Sequence, residues 1–254
     1  MNEYPLRERT IVIFGYFSTT VQNLMMNLCS AGADVALIGP QADQAVKYCS
    51  QLNDQREIKE KFGRSLAIPM DPHVSGAIRD SLGRVVQTFG GMDVFIDFYI
   101  ENKKTPFPFE SPLEQSLDQM IFPIQTSLSF THQVVPFLRS RKKGRIIYML
   151  NQSMVGGQAL DTGLSSRSAL ISLTKGLSQQ LSDQPMTFNV LSLGATEEFL
   201  LGHYPDAGSI KVALEKHRAI CPASKISEPE KIAQAITFLA SAAGSAINGQ
   251  VIEV

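Results

Sequence analysis

The fold is decided by the segment TIVIFGYFSTTVQNLMMNLCS, residues 10–30, in which a short apolar run leads into a longer helical pattern. The run Thr10–Phe14 is rich in β-branched residues, as expected of a buried strand. Apolar residues near 21–31 then recur with helical spacing. The same succession returns along the rest of the chain, which is typical of a parallel sheet with helices on both faces.

The sequence predicts seven strands and six helices. The predicted strands are Thr10–Phe14, Asp34–Ile38, Arg64–Ile68, Asp93–Phe98, Gly144–Leu150, Thr187–Leu193 and Gln250–Val254. The predicted helices lie near residues 21–31, 41–61, 74–89, 114–141, 165–183 and 229–242. We therefore predict an α/β protein, a single-domain Rossmann fold over residues 1–254 with a doubly wound seven-stranded parallel sheet. One long irregular piece, about 194–226, lies where a lid over a substrate would be placed.

The composition is that of one soluble globular domain. The 254 residues are 44% hydrophobic and 19% charged, with a formal net charge of −1. Lys and Arg are scattered along the chain, so we expect neither nucleic acid nor a membrane as a partner. Cys29, Cys49 and Cys221 lack the spacing of a zinc site or of a disulfide framework. We expect no metal, and buried thiols in a cytoplasmic protein.

Five segments carry a more specific signal. They are GGMDVFID (90–97), VVPFLRSRKKGRIIYM (134–149), SALISLTKGLSQQL (168–181), NVLSLG (189–194), and SEPEKIAQAITFLAS with INGQVIEV (227–241 and 247–254). In this order they resemble the short-chain dehydrogenase/reductase family, in particular its 3-oxoacyl-carrier-protein reductases. The resemblance covers nearly the whole chain. It implies oxidation or reduction of hydroxyl and carbonyl groups with NAD or NADP as cofactor, in a homodimer or homotetramer.

The turn after the first strand departs from the pattern of that family. The family reads TGxxxGxG, because glycines let the backbone approach a pyrophosphate. Gly15 matches the first glycine, whereas Thr19 and Val21 occupy the other two positions. A β-branched residue would cost on the order of 1–2 kcal/mol if its position required φ > 0. Ser18, Thr19 and Thr20 either offer hydroxyls and amides to a smaller phosphate or cap the following helix, and we favour the cap.

Recognition of the adenosine is altered as well. The residue that closes the second strand, an acid for NAD or a base for NADP in the family, falls on Gly39-Pro40, and neither side chain can do either task. Asp71 matches the acidic residue that the family uses near the adenine, although a turn explains it equally well. The candidate cofactor-binding residues are Gly15, Ser18, Thr19 and Asp71.

The wall of the cofactor site is bulkier than in the family. Asn-Asn-Ala-Gly follows the fourth strand there, whereas Asp97-Phe98-Tyr99-Ile100 stands here. Three large side chains would either displace a cofactor or form a core that replaces it.

The four catalytic positions of the family are also substituted. The Tyr and Lys of the pattern YxxxK fall on Gly163 and Arg167, and a permanently charged guanidinium does not suit proton transfer. The Ser position falls on Asn151, with Ser153 as a candidate substitute two residues on. The Asn position falls on Pro123, which has no backbone donor and would kink the helix that it interrupts.

Several other residues carry groups that could replace the missing acid. Tyr16 and Tyr99 end the first and fourth strands at the carboxyl edge, where ligands bind in open α/β sheets, although an aromatic plug is the alternative role. Tyr148 points to the other face of the sheet and is predicted to be core. His132 is predicted to lie at a subunit contact. The lid-like segment adds Glu197, Glu198, His203 and Tyr204.

Three functions are compatible with these residues. The joint departure of the cofactor and catalytic motifs favours a pseudoenzyme, a homo-oligomeric binding or scaffolding protein that has lost hydride transfer. The first alternative is an NAD(P)-dependent oxidoreductase with an altered cofactor pose that uses Tyr99, Tyr16 or Ser153. The second is a relative of the halohydrin dehalogenases, which Arg167 fits and Gly163 does not.

Two helices are predicted to form the subunit contact, near 114–141 and 165–183. Their apolar faces exceed what one sheet face needs. The residues assigned to this contact are Phe130, Val134, Leu170, Leu173 and Leu177.

Overall fold

The computed structural model describes residues 4–40, 42–58, 61–98, 112–141, 143–151, 162–194, 196, 206–220 and 227–254. The strands are β1 (Thr10–Gly15), β2 (Asp34–Gly39), β3 (Ser65–Pro69), β4 (Val94–Phe98), β5 (Gly144–Asn151), β6 (Met186–Leu193) and β7 (Val251–Glu253). Within the described residues they form one parallel sheet in the order β3-β2-β1-β4-β5-β6-β7. Because the chain builds from β1 to β3 and then returns to the other side of β1, the predicted doubly wound sheet is confirmed.

Helices connect the strands. They are α1 (Thr19–Ser30), α2 (Ala42–Ile58), α3 (Ala77–Phe89), α4 (Leu113–Ser140), α5 (Thr162–Gln180), α6 (Ala207–Ile220) and α7 (Pro229–Ala240), followed by a 3-10 helix at Ala243–Ala246. In the part of the chain that the structure describes, none of them is long and apolar enough to cross a membrane.

Both faces of the sheet are buried. Ile11 and Ile13 of β1 point into one core, whereas Val12 and Phe14 point into the other. The first core lies beneath α1, α2 and α7, and the second beneath α3, α4 and α5. This two-sided burial explains why the strands read as continuous apolar runs without alternation.

The predicted strands and helices are confirmed, and their ends differ from the prediction by a few residues. The segment 194–226, predicted as irregular, requires a correction because α6 lies within it. Asp206 precedes this helix, and its Oδ1 accepts a hydrogen bond from the Ser209 amide at 2.9 Å. The hydrogen bonds from Ser209 lower the pKa of Asp206. An Asp before a run of helix formers is a start signal that the sequence already carried.

Helix α4 continues through Pro123, which we predicted to interrupt it. Proline removes one backbone hydrogen bond from a helix interior. Buried residues on both sides, among them Ser116, Thr126 and Ser127, hold the helix against the rest of the domain. Tertiary packing therefore outweighs the local cost of the proline.

The structure also corrects which residues of α4 and α5 are available for a subunit contact. Phe130, Val134 and Leu170 are buried in the second core, because this face of α4 and α5 packs on the sheet. Leu173 and Leu177 are partly buried against the same core. The exposed apolar side chains of α4 include Leu113, Leu117, Ile121 and Leu128.

Candidate functional site

Three strands come very close together at the carboxyl edge of the sheet. A Cβ placed on Gly39, at the end of β2, would lie 2.0 Å from the carbonyl oxygen of Gly15. A Cβ on Gly15 itself would lie 2.6 Å from the carbonyl oxygen of Phe98, at the end of β4. Both positions therefore need glycine, and both are buried where the three strand ends meet.

Ser18 caps helix α1. Its backbone is extended, with φ −135° and ψ 168°, and its Oγ accepts a hydrogen bond from the Val21 amide at 3.3 Å. The capping role favoured by the sequence is confirmed. The first turn of α1, with its amide groups, faces the carboxyl edge beside Gly15.

The two residues in place of the family's glycines cause no backbone strain. Within the described residues, Glu8 alone among non-glycine residues has a positive φ, so neither Thr19 nor Val21 does. Val21 is buried in the first core with Leu24, whereas Thr19 is exposed. Neither Thr19 nor Val21 therefore carries the free-energy cost of a β-branched residue in a left-handed backbone.

A small cleft of about 180 Å³ opens beside this turn. Its lining is apolar in its side chains and consists of Gly15, Phe17, Leu37, Gly39, Ala45, Ala67, Ile68 and Pro69. Phe17 is half-buried, and its ring lies 5.6 Å from the ring of Tyr48 in α2. The Tyr48 hydroxyl in turn donates to the carbonyl of Gln22 at 2.9 Å.

Asp71 has a local structural role. It is exposed, and its Oδ1 accepts a hydrogen bond from the His73 amide at 2.9 Å, which makes a turn after β3. The ring of His73 then stacks on Phe122 of α4, with 4.1 Å between ring centroids. The structure thus supports the turn reading of Asp71.

These observations decide which parts of a dinucleotide the site fits. The amides of the first turn of α1 suit a pyrophosphate. Among the described residues, no polar side chain lines the cleft at Gly39 where it could bind ribose hydroxyls. The residues therefore fit the phosphate end of NAD(P) and depart from the family at the ribose.

The family's catalytic positions lie on the elements that the alignment of motifs predicted. Pro123 is half-buried in α4, Asn151 is the last residue of β5, and Gly163 and Arg167 lie in the first turns of α5. The hydroxyl of Ser166 donates to the Met120 carbonyl at 2.7 Å, which joins these turns of α5 to α4. The side chains of Asn151 and Arg167 lie outside the described residues, as do Tyr99 and Ser153.

A buried chain of polar groups lies below these positions, and sequence reasoning missed it. The Ser127 hydroxyl donates to Oδ2 of Asp97, and the Thr131 hydroxyl donates to the Ser127 carbonyl at 2.7 Å. The hydroxyls of Thr131 and Tyr148 are 2.6 Å apart. A signal was present, because Asp97 stands alone as an acid in the apolar run VFIDF.

Tyr148 is fully buried, as predicted for a core residue. Burial raises its pKa, with the charge of Asp97 adding to the effect and the hydrogen bond with Thr131 opposing it. It cannot act as an accessible acid. Tyr16 is half-buried after β1, and His132 is exposed on α4. The lid-like residues Glu197, Glu198, His203 and Tyr204 lie outside the described residues.

The chain matches known proteins over most of its length. A family model described as Enoyl-(Acyl carrier protein) reductase matches residues 25–254. The 2,3-dihydro-2,3-dihydroxybenzoate dehydrogenase of Bacillus subtilis is 23% identical over 95% of this chain and 92% of its own. The 3-oxoacyl-(acyl-carrier-protein) reductase FabG of Thermotoga maritima is 25% identical over 78% of this chain and 79% of its own. The family match begins after the turn at Gly15–Val21, the segment whose glycines are replaced.

Solved structures share the fold. A dehydrogenase/reductase from Sinorhizobium meliloti superposes with a TM-score of 0.81 at 20% identity, covering 99% of this chain and 95% of the other. The order of the strands and the turn at the carboxyl end of β1 are those of a Rossmann-type α/β protein. With the family match, the chain belongs to the short-chain dehydrogenase/reductase family.

Proposed function

We propose that this protein is an NAD(P)-dependent oxidoreductase that binds its cofactor in an altered pose and uses non-standard catalytic residues. Membership of the family supports the reaction class, and the relatives matched over most of the chain are named as dehydrogenases and reductases. The observation that carries the proposal is the start of α1, whose first turn begins at the carboxyl edge four residues after Gly15.

Different groups of the protein would bind different parts of the cofactor. Amides of the first turn of α1 hold the pyrophosphate, favoured by the positive end of the helix dipole. The half-buried ring of Phe17 would give the adenosine apolar contact area in place of ribose hydrogen bonds. The bound nicotinamide supplies or accepts a hydride.

Acid and base roles require groups other than those of the family. Gly163 has no side chain, Pro123 has no titratable group, and a guanidinium at Arg167 stays protonated. Tyr16, Tyr99 and Ser153 are the candidates, because all three follow carboxyl ends of strands. Arg167 would serve as a fixed positive charge for a substrate or cofactor anion.

Titration calorimetry with NADH and NADPH tests the proposal, using the wild type and the variant Pro40→Arg. Pro40 is exposed directly after Gly39, where a guanidinium would reach the 2′-phosphate of NADPH. We expect wild-type binding of both nucleotides and about tenfold tighter NADPH binding by the variant. NADH, which lacks that phosphate, is the matched control. Absence of binding by either protein at millimolar nucleotide would refute the cofactor site.

A binding or scaffolding protein without hydride transfer is the second candidate. It is favoured by Pro123 and Gly163, which leave two of the family's catalytic positions without a functional group. Under this hypothesis NADH and NADPH leave the melting temperature unchanged, whereas a ligand at 100 times its Kd adds about 2.7 kcal/mol. The two candidates therefore predict opposite effects of added NADH and NADPH on the melting temperature.

We also propose self-association through α4. Leu113, Leu117, Ile121 and Leu128 are exposed and lie on one side of this helix. Leu113 is 72% exposed, a large apolar side chain with little cover in one subunit. Light scattering at micromolar concentration should give a dimer or tetramer, and Leu117→Glu with Ile121→Glu should reduce its mass. A monomeric wild type would refute this contact.

A reducing, cytoplasmic location is supported by the thiols of Cys29 and Cys49, which are free and buried. Burial raises the pKa of Cys49 to about 11, while its hydrogen bond with Ser65 acts in the other direction. Such thiols remain protonated and unreactive in the folded protein.

A further inference from the structure

An aromatic pair borders the turn between β1 and α1. Phe17 lies two residues after Gly15 and directly before the cap residue Ser18. Its half-buried ring packs on the first core, as does the ring of Tyr48 from α2. The two ring centroids are 5.6 Å apart and the ring planes are tilted by 54°, an arrangement that favourable aromatic pairs adopt. One ring of the pair therefore belongs to the turn at which the pyrophosphate is proposed to bind.

Tyr48 is held in place by α1. Its hydroxyl donates to the carbonyl oxygen of Gln22, near the start of α1, at 2.9 Å. Burial raises the pKa of this hydroxyl, and the neighbouring thiols of Cys29 and Cys49 act in the same direction. The hydroxyl thus stays protonated and remains a donor. Tyr48 links α2 to α1 in this way and limits the positions that are open to the Phe17 ring.

The cleft beside this pair offers contact area in place of polar partners. Among the described residues, the side chains that line it are those of Phe17, Leu37, Ala45, Ala67, Ile68 and Pro69. An aromatic ring stacks on any nucleobase, because every base has a π-face, and such stacking does not read the hydrogen-bonding edge of the base. The exposed part of the Phe17 ring can therefore bind a purine without a polar partner.

We propose, on the basis of the cofactor site inferred above, that Phe17 binds the purine of the dinucleotide by stacking and that Tyr48 positions the Phe17 ring. Phe17 touches the cofactor, whereas Tyr48 is a positioning residue because it acts through Phe17. Stacking, and not hydrogen bonding to the edge of the base, then sets how tightly the adenosine half is held. A dinucleotide with hypoxanthine in place of adenine keeps the purine ring system and should bind as NADH does.

Fluorescence titration with NADH, and with reduced nicotinamide mononucleotide, which lacks the adenosine, tests these roles. Phe17→Leu should weaken NADH binding about tenfold through the loss of base stacking. Tyr48→Leu should weaken it about threefold, since a freer Phe17 ring must be ordered on binding. Both variants should bind the mononucleotide within about twofold of the wild type, a selectivity that general damage to the fold would not produce.

Tyr4→Leu is the matched control. Tyr4 is half-buried, as Tyr48 is, but it lies beside Gly32, which precedes β2 at the amino edge of the sheet. Nζ of Lys61 lies 4.8 Å from the centroid of its ring. This variant should keep both affinities. Deamino-NADH, which carries hypoxanthine in place of adenine, should bind the wild type within about threefold of NADH.

The outcomes separate the aromatic pair from the cofactor site as a whole. A wild type that binds neither NADH nor the mononucleotide at millimolar concentration would refute the cofactor site and, with it, the role of Phe17. NADH binding that is unchanged in Phe17→Leu and Tyr48→Leu, or an equal loss for NADH and the mononucleotide, would overturn the role of the pair alone. Binding of deamino-NADH more than about tenfold weaker than that of NADH would overturn recognition by stacking.

A nuclear Overhauser measurement on the wild-type complex with NADH does not depend on how the variants fold. We expect contacts between H2 or H8 of the adenine and the ring protons of Phe17. Adenine contacts that leave out Phe17 would overturn the proposal.

Discussion

The two edges of the sheet are built from opposite kinds of groups. At the carboxyl edge, backbone and apolar side chains meet around Gly15 and Gly39. At the amino edge, Arg9, Asp93 and Arg145 bring charges into the interior. Ligands of open α/β sheets bind at the carboxyl edge, whereas three of the four buried charged side chains among the described residues lie at the other edge.

Polar groups serve different purposes at the two edges, ligand binding at one and joining of chain segments at the other. At the carboxyl edge, a phosphate can be held by backbone amides alone, so side chains such as the ribose acid can be replaced without unfolding the domain. At the amino edge, Asp93 joins chain segments that are far apart in sequence, through Thr10, Lys143 and Arg141. Substitutions should therefore cost most at the amino edge.

The largest effect is expected for Asp93→Ala. Asp93 is fully buried, and its Oδ2 accepts a hydrogen bond from the Thr10 amide at 2.9 Å. Removing this carboxylate leaves the nearby cations without it, which should lower the free energy of unfolding by about 3–5 kcal/mol. Urea denaturation measures the change, and Asp183→Ala, at an exposed aspartate, should cost less than about 0.5 kcal/mol. Similar losses for both variants would remove the contrast between the edges.

Gly39→Ala should cost about 1–3 kcal/mol, because the new Cβ would lie 2.0 Å from the Gly15 carbonyl oxygen and force strand ends apart. The matched control is Gly83→Ala in α3, where a Cβ meets nothing within 4 Å. That change should instead stabilise the protein by about 0.5–1 kcal/mol. A neutral Gly39→Ala in the same denaturation assay would contradict the close approach.

The smallest of these effects is expected for Ser18→Ala, about 1 kcal/mol from loss of the cap on α1. Nucleotide affinity should stay within about twofold, since the amides would remain in place. Ser30→Ala, at the exposed end of the same helix, controls for the change in composition. A large loss of affinity with unchanged stability would assign the hydroxyl to phosphate binding and not to the cap.

Much of the fold could be predicted because burial leaves a direct trace in the sequence. Strands β1 to β6 are buried on both faces and stand out as apolar runs. Alignment with neighbouring family motifs correctly put Pro123 on α4 and Asn151 at the end of β5. Helix α6 was missed because Asp206 was not recognised as a start signal.

The polar contacts could not be predicted, because each depends on how distant elements meet. Nothing near Asp97 in the sequence names Ser127 as its partner, and Ser166 meets Met120 only when α5 lies on α4. The same limit explains why Phe130 was assigned to a subunit contact. An apolar helix face can cover a sheet or a second subunit, and the pattern is the same for both.

Co-crystallisation with NADH and with NADPH tests the central claim, that this family member keeps a dinucleotide site in altered form. We predict nucleotide density at the carboxyl edge, with the pyrophosphate over Gly15 and the first turn of α1 and the adenosine displaced toward Phe17. An empty carboxyl edge at saturating nucleotide would contradict the account.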